Sequence, residues 1–148
     1  STTMADCLRR TFAAEISSDR VVVLQVALGS FPGSAGFSSS GDDAFAGHFD
    51  GAGYETVTVA TIGEVADLHG TPTFIKMDLE GSEYQALVGG IEMLQSHFPK
   101  LGITTYHNSW DFAVISSLLT GVGYRHVNPF GVTQRGETTP RPVMVHAW

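Results

Sequence analysis

The stretch FIKMDLEGSEYQAL, residues 74–87, decides the reading of this chain. Its first half, Phe74 to Leu79, is a short apolar run of the kind a buried strand shows. Its second half opens a helix. Ser82 offers an N-cap, and Gln85, three residues on, completes a capping box. Behind them Tyr84, Leu87, Val88, Ile91 and Leu94 fall on one helical face. Gly81 lets the chain turn sharply between strand and helix. Yet the stretch carries Lys76, Asp78, Glu80 and Glu83 in a chain only 16% charged. On a strand Phe74, Lys76 and Asp78 share one face. Lys76 is therefore expected partly inside the sheet region, with Asp78 within reach as its partner. Gly89 and Gly90 each cost the helix about 1 kcal/mol relative to alanine, which predicts close packing on a sheet.

Outward from this unit the same alternation continues. VVVLQVAL, 21–28, is a continuous aliphatic run that suits a strand buried on both faces. YETVTVA, 54–60, alternates like a half-exposed strand, and a short helix is expected over 62–69. LGITTY, 101–106, reads as another buried strand. A helix from Trp110 to Leu119 follows, capped by Asn108 or Ser109, with Phe112, Ile115 and Leu119 inward and Gly121 and Gly123 at its end. YRHVNP and PVMVHAW read as two closing strands. At the start, ADCLRRTFAAEI, 5–16, places Leu8, Phe12 and Ile16 at helical spacing. Between Gly29 and Gly53, Gly, Ser, Asp and Phe dominate. That segment reads as a long loop or short irregular strands, serving as a lid. The order implies an α/β fold with a mostly parallel sheet and helices on both faces. The 148 residues suit one domain over 1–148.

Composition excludes several classes. The net charge is −7 and the eight Lys and Arg are scattered, so no basic stripe exists for nucleic acid or an anionic membrane. One cysteine rules out an internal disulfide or a paired-cysteine zinc site, and Cys7 reads as a small buried hydrophobe. No apolar run reaches the ~20 residues of a membrane span. STTMADCLRR lacks a signal core, so a reducing cytoplasm is expected. There is no G-x-S-x-G, P-loop or CxxC. GSFPGSAGFSSSG, 29–41, opens no helix and is not a dinucleotide fingerprint. His48, His69, His97, His126 and His146 show no ligand spacing.

In open α/β sheets ligands bind outside the carboxyl ends of the strands. Asp78 and Glu80 follow one strand, and TTYHN, 104–108, ends the next. If the two strands are neighbours, Tyr106, His107 and Asn108 approach Asp78 and Glu80. Such a set can do acid–base work, or hold a divalent metal through oxygens and one imidazole. The plainer account is also open. Carboxylates at a helix N-terminus are favoured by its dipole, which suffices for Glu83 and serves Glu80 equally. His107 could simply bond a loop carbonyl. Asp78 favours function, because a carboxylate ending a buried strand is costly unless paired or used.

FIKMDLEGSEYQALVGG, then PKLGITTYHN, then DFAVISSLL with Gly123-Tyr124 behind it, resembles the FkbM-type methyltransferases. VVLQVALGS and VTVATIGEV resemble the segments that precede that core, so the resemblance runs from about residue 5 to the C-terminus. It implies a Rossmann-like methyltransferase sheet and S-adenosylmethionine as cofactor. It also implies methylation of a hydroxyl on a sugar or other small molecule. By the same resemblance Asp78 faces the donor methyl, and Ala27 and Leu28 form the adenine-side wall; beside Asp78, Glu80 or His107 is the expected base, with Tyr106 in the same catalytic set. No resident metal is expected. The family's glycine-rich D-x-G-A-x-x-G turn and the acidic strand end after it are not found before Ala5. The fold is therefore expected to be N-terminally incomplete. The 21–28 strand would then pair with 74–79, pair with another protomer, or leave an apolar edge open to homodimerisation. Two other readings stand beside the enzyme. One is a non-catalytic fragment or binding module that has lost the cofactor site. The other is a metal-dependent hydrolase on Asp78, Glu80 and His107, which needs more ligands than two strand ends provide.

Overall fold

A computed structural model describes residues 2–39, 47–49, 55–133 and 140–148. The chain divides into two compact units, Ser1–Ala27 with Gly33–Val59, and Leu28–Pro32 with Ala60–Trp148. No helix among the described residues is long and apolar enough to cross a membrane.

In the first unit the expected N-terminal helix appears as two, α1 (Thr2–Thr11) and α2 (Ala13–Ser17). Its apolar stripe is only partly used: Ala5 is buried and Ile16 half-buried, while Leu8 and Phe12 are exposed. Cys7 is exposed, not the buried hydrophobe its helical setting predicts. The first sheet has the order β1-β4-β2-β3, with β1 at Ala27–Leu28, β2 at Gly33–Ser39, β3 at Gly47–Phe49 and β4 at Glu55–Ala60. β2 runs antiparallel to β3 and to β4, with Gly33 opposite Val59 and Phe37 opposite Glu55. Short strands thus occupy part of the Gly29–Gly53 segment; residues 40–46, with Phe45, and 50–53 lie outside the described residues. In β4 the expected alternation holds, Val57 and Val59 half-buried and Thr56 and Thr58 exposed.

The VVVLQVAL run corrects its reading. Only Ala27 and Leu28 are strand, and Val22, Leu24 and Val26 are exposed. A strand is stable only where a neighbour takes its backbone hydrogen bonds, and among the described residues this run has one, β4, at its last two residues alone. The outcome is an exposed apolar run.

The second unit holds a sheet of order β5-β6-β8-β7, with β5 at Phe74–Met77, β6 at Lys100–Thr104, β7 at Val127–Thr133 and β8 at Arg141–Ala147. β5 and β6 are parallel, Phe74 opposite Lys100 and Met77 opposite Ile103. β8 is antiparallel to both β6 and β7. The sheet is therefore mixed, where a mostly parallel one was expected. The cause lies in the connections. A helix separates β5 from β6 and β6 from β7, so those strands can share a direction. β7 and β8 pair antiparallel, so the chain reverses between them. β8 then enters between β6 and β7.

Helices α3 (Ile62–His69), α4 (Glu83–Val88), α5 (Ile91–His97) and α6 (Asp111–Val122) belong to this unit. The core joins Met77, Leu87, Leu94, Leu101, Ile103, Ile115, Leu119 and Val145, all almost fully buried. Each such side chain contributes about 1.5–3 kcal/mol through burial. In α6, Ile115 and Leu119 are buried in this core and Phe112 packs half-buried against it, as the spacing predicts; Val122 is buried as well, and Gly123 ends the helix at φ 117°. The long helix expected after Ser82 is broken at Gly89–Gly90 into α4 and α5. The two glycines make room for other elements than a sheet. A Cβ on Gly89 would run into the carbonyl oxygen of Gly29, and one on Gly90 would lie 3.0 Å from Cβ of Ile62. A full capping box does occur, but on α3. There Thr61 Oγ1 accepts from the Glu64 amide at 3.1 Å, and Glu64 Oε2 accepts from the Thr61 amide at 2.9 Å.

Candidate active site

β5 and β6 lie side by side and point the same way, so both carboxyl ends open on one edge of the sheet. Asp78 follows the last residue of β5, and Thr104 ends β6. Thr105, Tyr106 and His107 come next. Strands about 4.8 Å apart bring the residues just beyond them within hydrogen-bonding reach. His107 Nε2 lies 3.1 Å from Asp78 Oδ1, and His107 Nδ1 lies 3.4 Å from Glu80 Oε2. The Tyr106 hydroxyl donates to Asp78 Oδ1 at 3.5 Å, and its ring tilts over that of His107, centroids 4.3 Å apart. Asp78, Glu80, Tyr106 and His107, named from sequence, therefore meet at one point. Lys76 also reaches Asp78, with Nζ 3.1 Å from Oδ2.

Asp78 is not the buried carboxylate that its place after a buried strand predicts. The Asp78 side chain is 38% exposed and that of Lys76 52%, because both stand at the rim of an edge strand. The buried carboxylate is Glu83, at 0% exposure, which the sequence reading left as a dipole effect. Its Oε1 accepts from the Leu79 amide at 2.6 Å and from Thr104 Oγ1 at 3.0 Å, and its Oε2 accepts from the Gly81 amide at 3.1 Å. Oε1 also lies 3.4 Å from His107 Nε2. A signal for this role was available: a carboxylate opening a helix behind a glycine turn can reach back to the amides of that turn. Ser82 holds the N-cap position, but its side chain makes no capping bond.

The backbone supports the arrangement. Glu80 and Gly81 have φ of 51° and 96°, left-handed conformations that fold the Asp78–Gly81 turn. A side chain on Gly81 would also lie 3.0 Å from Nδ2 of Asn108. Neither Asn108 nor Ser109 caps α6, whose N-cap position is Trp110. Instead the buried carboxylate of Asp111 accepts from the Asn108 amide at 2.7 Å, fixing the segment behind His107. Asp111 is a second structural carboxylate that sequence reading missed.

Partial burial works to raise the Asp78 pKa. Hydrogen bonds from Lys76 and His107, and their charges, outweigh it and hold the carboxyl below its ordinary 3.8. Ala27 and Leu28 form β1, both half-buried; Leu28 packs on the core of the second unit. Among the described residues, Asp78, Glu80 and His107 each offer a ligand atom within 4.8 Å of one another. Chemically, the group can pass a proton between imidazole and carboxylate, or present oxygen and nitrogen ligands to a divalent ion.

The family model described as methyltransferase FkbM domain matches residues 3–126. The chain belongs to the FkbM methyltransferase family. Its fold is similar to the crystal structure of methyltransferase FkbM from Methylobacillus flagellatus KT, with a TM-score of 0.66 and 24% identity. That likeness covers 99% of this chain and 33% of the other, so this FkbM-family chain spans about a third of that protein's length. No curated protein matches it.

Proposed function

We propose that this chain carries out methyl transfer from S-adenosylmethionine to a hydroxyl oxygen of a sugar or other small molecule. The observation that carries the reading is the Asp78–His107 contact of 3.1 Å at the ends of two parallel strands, in a chain of this family. S-adenosylmethionine, when bound, supplies an electrophilic methyl group on a positively charged sulfur. An edge presenting the half-exposed carboxylates of Asp78 and Glu80 beside one lysine suits a cation of that kind. Ala27 and Leu28 are carried over from the family pattern as the adenine-side wall.

The chain's own residues then manage the proton of the acceptor hydroxyl. Asp78 Oδ1 takes the hydrogen on His107 Nε2, which fixes the tautomer and leaves Nδ1 as the basic nitrogen. Nδ1 of His107 would take the hydroxyl proton as the acceptor oxygen receives the methyl group that S-adenosylmethionine, when bound, would release from its sulfur. The imidazolium so formed has Asp78 on one side and Glu80 on the other, at 3.1 and 3.4 Å. Tyr106 holds Asp78 through its hydroxyl. Proximity and a placed base supply the rate, the base typically about 10²–10⁴-fold.

Calorimetric titration of the folded chain with S-adenosylmethionine tests the reading. Saturable binding near micromolar, about −8 kcal/mol, is the expected result. A folded chain that gives no heat of binding overturns methyl transfer by this chain alone. It would favour the second reading, a module without its own cofactor site. The exposed Val22, Leu24 and Val26, and the open edge at Phe74, speak for that alternative.

A further inference from the structure

We infer that Glu83 is the positioning residue of this site, holding the Asp78–Gly81 turn and the His107 ring in one frame. Its catalytic consequence rests on the reaction proposed above; its structural part does not. Three neutral donors converge on the Glu83 carboxylate from two directions. The amides of Leu79 and Gly81 come from the turn after β5, and the Thr104 hydroxyl comes from the end of β6. Leu79 and Gly81 bracket Glu80, a non-glycine residue in the left-handed region at φ 51°. Such a residue persists where its surroundings over-determine it. Here both flanking amides are tied to one carboxylate.

The same carboxylate reaches the base. Oε1 lies 3.4 Å from His107 Nε2, the nitrogen that also meets Asp78. Thr104 Oγ1 stands among Asp78 Oδ1, Glu83 Oε1 and His107 Nε2 at 3.3, 3.0 and 3.4 Å. Glu83 thus connects the turn bearing Asp78 and Glu80 to the strand end bearing His107. The helix dipole alone does not account for this. A dipole favours any carboxylate in the first turn, and requires neither 0% exposure nor contacts with residues 21 and 24 positions away. A carboxylate is needed because donors approach both oxygens. An amide in its place would turn an N–H toward either the Gly81 amide or the Leu79 and Thr104 donors.

The test uses the full chain with Glu83→Gln, read by nuclear magnetic resonance and by methyl transfer. The variant is expected to fold by circular dichroism. Hydrogen-exchange protection should fall about tenfold or more at whichever of the Leu79 and Gly81 amides faces the new N–H, as loss of a charge-assisted hydrogen bond implies. The His107 ring nitrogen shifts should move, and kcat should fall while the KM for S-adenosylmethionine stays close to its starting value. Unchanged amide protection and unchanged ring shifts in folded Glu83→Gln overturn the inference. If that variant does not fold, Thr104→Val removes the hydroxyl from Glu83, and because that hydroxyl also lies beside Asp78 and His107, the reading is taken at the Leu79 and Gly81 amides, which bond Glu83. Lowered exchange protection at those amides is expected, and unchanged protection overturns the inference. An unsubstituted chain without turnover sinks the proposed reaction while the resonance arms still judge Glu83.

Discussion

Alanine at position 89 should loosen the turn that carries Leu28. Gly29 is fixed on one side by its amide, which donates to the Ala60 carbonyl at 3.0 Å. On the other side stands Gly89, whose missing side chain leaves room for the Gly29 carbonyl. A Cβ there would meet that oxygen too closely, and would lie 3.2 Å from both the Gly29 carbonyl carbon and Thr61 Cβ. Two of these three atoms are backbone, so relief requires the chain itself to shift. Forcing a methyl group into such a site costs about 1–3 kcal/mol. Better helix propensity returns at most about 1 kcal/mol. The net is a loss, and the displaced segment includes Leu28, proposed for the adenine-side wall. Gly121→Ala is the control. Gly121 is exposed near the end of α6 with open space around its Cα, so alanine there should stabilise by about 0.5–1 kcal/mol. Thermal unfolding followed by circular dichroism reads the sign of each change, and calorimetry with S-adenosylmethionine reads the site. Equal melting temperatures for the two variants would refute the packing of Gly29 on Gly89. Lowered stability with unaltered cofactor affinity would separate Leu28 from the cofactor.

Three further outcomes follow from the geometry. His107→Ala should lower methyl transfer by about 10²–10⁴-fold with cofactor binding retained, by calorimetry and product formation. The Asp78 carboxyl is held below 3.8, so its contribution to stability is complete above the unfolded value and is lost as pH falls through the folded one. Asp78→Asn should therefore flatten the acid limb of a stability–pH curve only slightly, because the group is more than a third exposed; a large change would mean that Asp78 is more enclosed than described. Tyr124, whose buried hydroxyl donates to the Pro99 carbonyl at 2.8 Å and whose pKa is pushed up to about 12, should ionise only near that pH by ultraviolet titration, and Tyr124→Phe should cost about 1 kcal/mol.

Much of the second unit was legible from local pattern. Apolar runs bounded by Gly and Pro gave β5 and β6, and the 3.6-residue spacing of Ile115 and Leu119 gave the inner face of α6. The meeting of Asp78 and Glu80 with Tyr106 and His107 was legible because two parallel neighbours must open on one edge. Strand direction was not, since it depends on whether a connection contains a crossover helix or a simple reversal. The burial of the 21–28 run was not, because hydrophobic content says nothing of whether a neighbouring strand exists. Val22, Leu24 and Val26 are as apolar as Leu101 and Ile103, yet only the latter lie between hydrogen-bonded partners.

The carboxylates show the deeper reason why site roles resist sequence reading. Asp78, Glu80 and Glu83 lie within six residues and carry the same ionisable group. What separates them is where the chain leaves its donors. The amides of Leu79 and Gly81 point to one spot, and β6 delivers a hydroxyl to that spot from 21 residues downstream. A carboxylate supplied with three neutral donors can be fully buried without a counter-charge, and Glu83 takes that place. Asp78 is met by Lys76, by His107 and by the Tyr106 hydroxyl, and Glu80 by His107; both stay at the rim, with the imidazole between them. The division between one buried carboxylate and two at the rim thus arises from the Glu80–Gly81 turn and the β5–β6 register, neither of which is written in the identity of the acidic residues themselves.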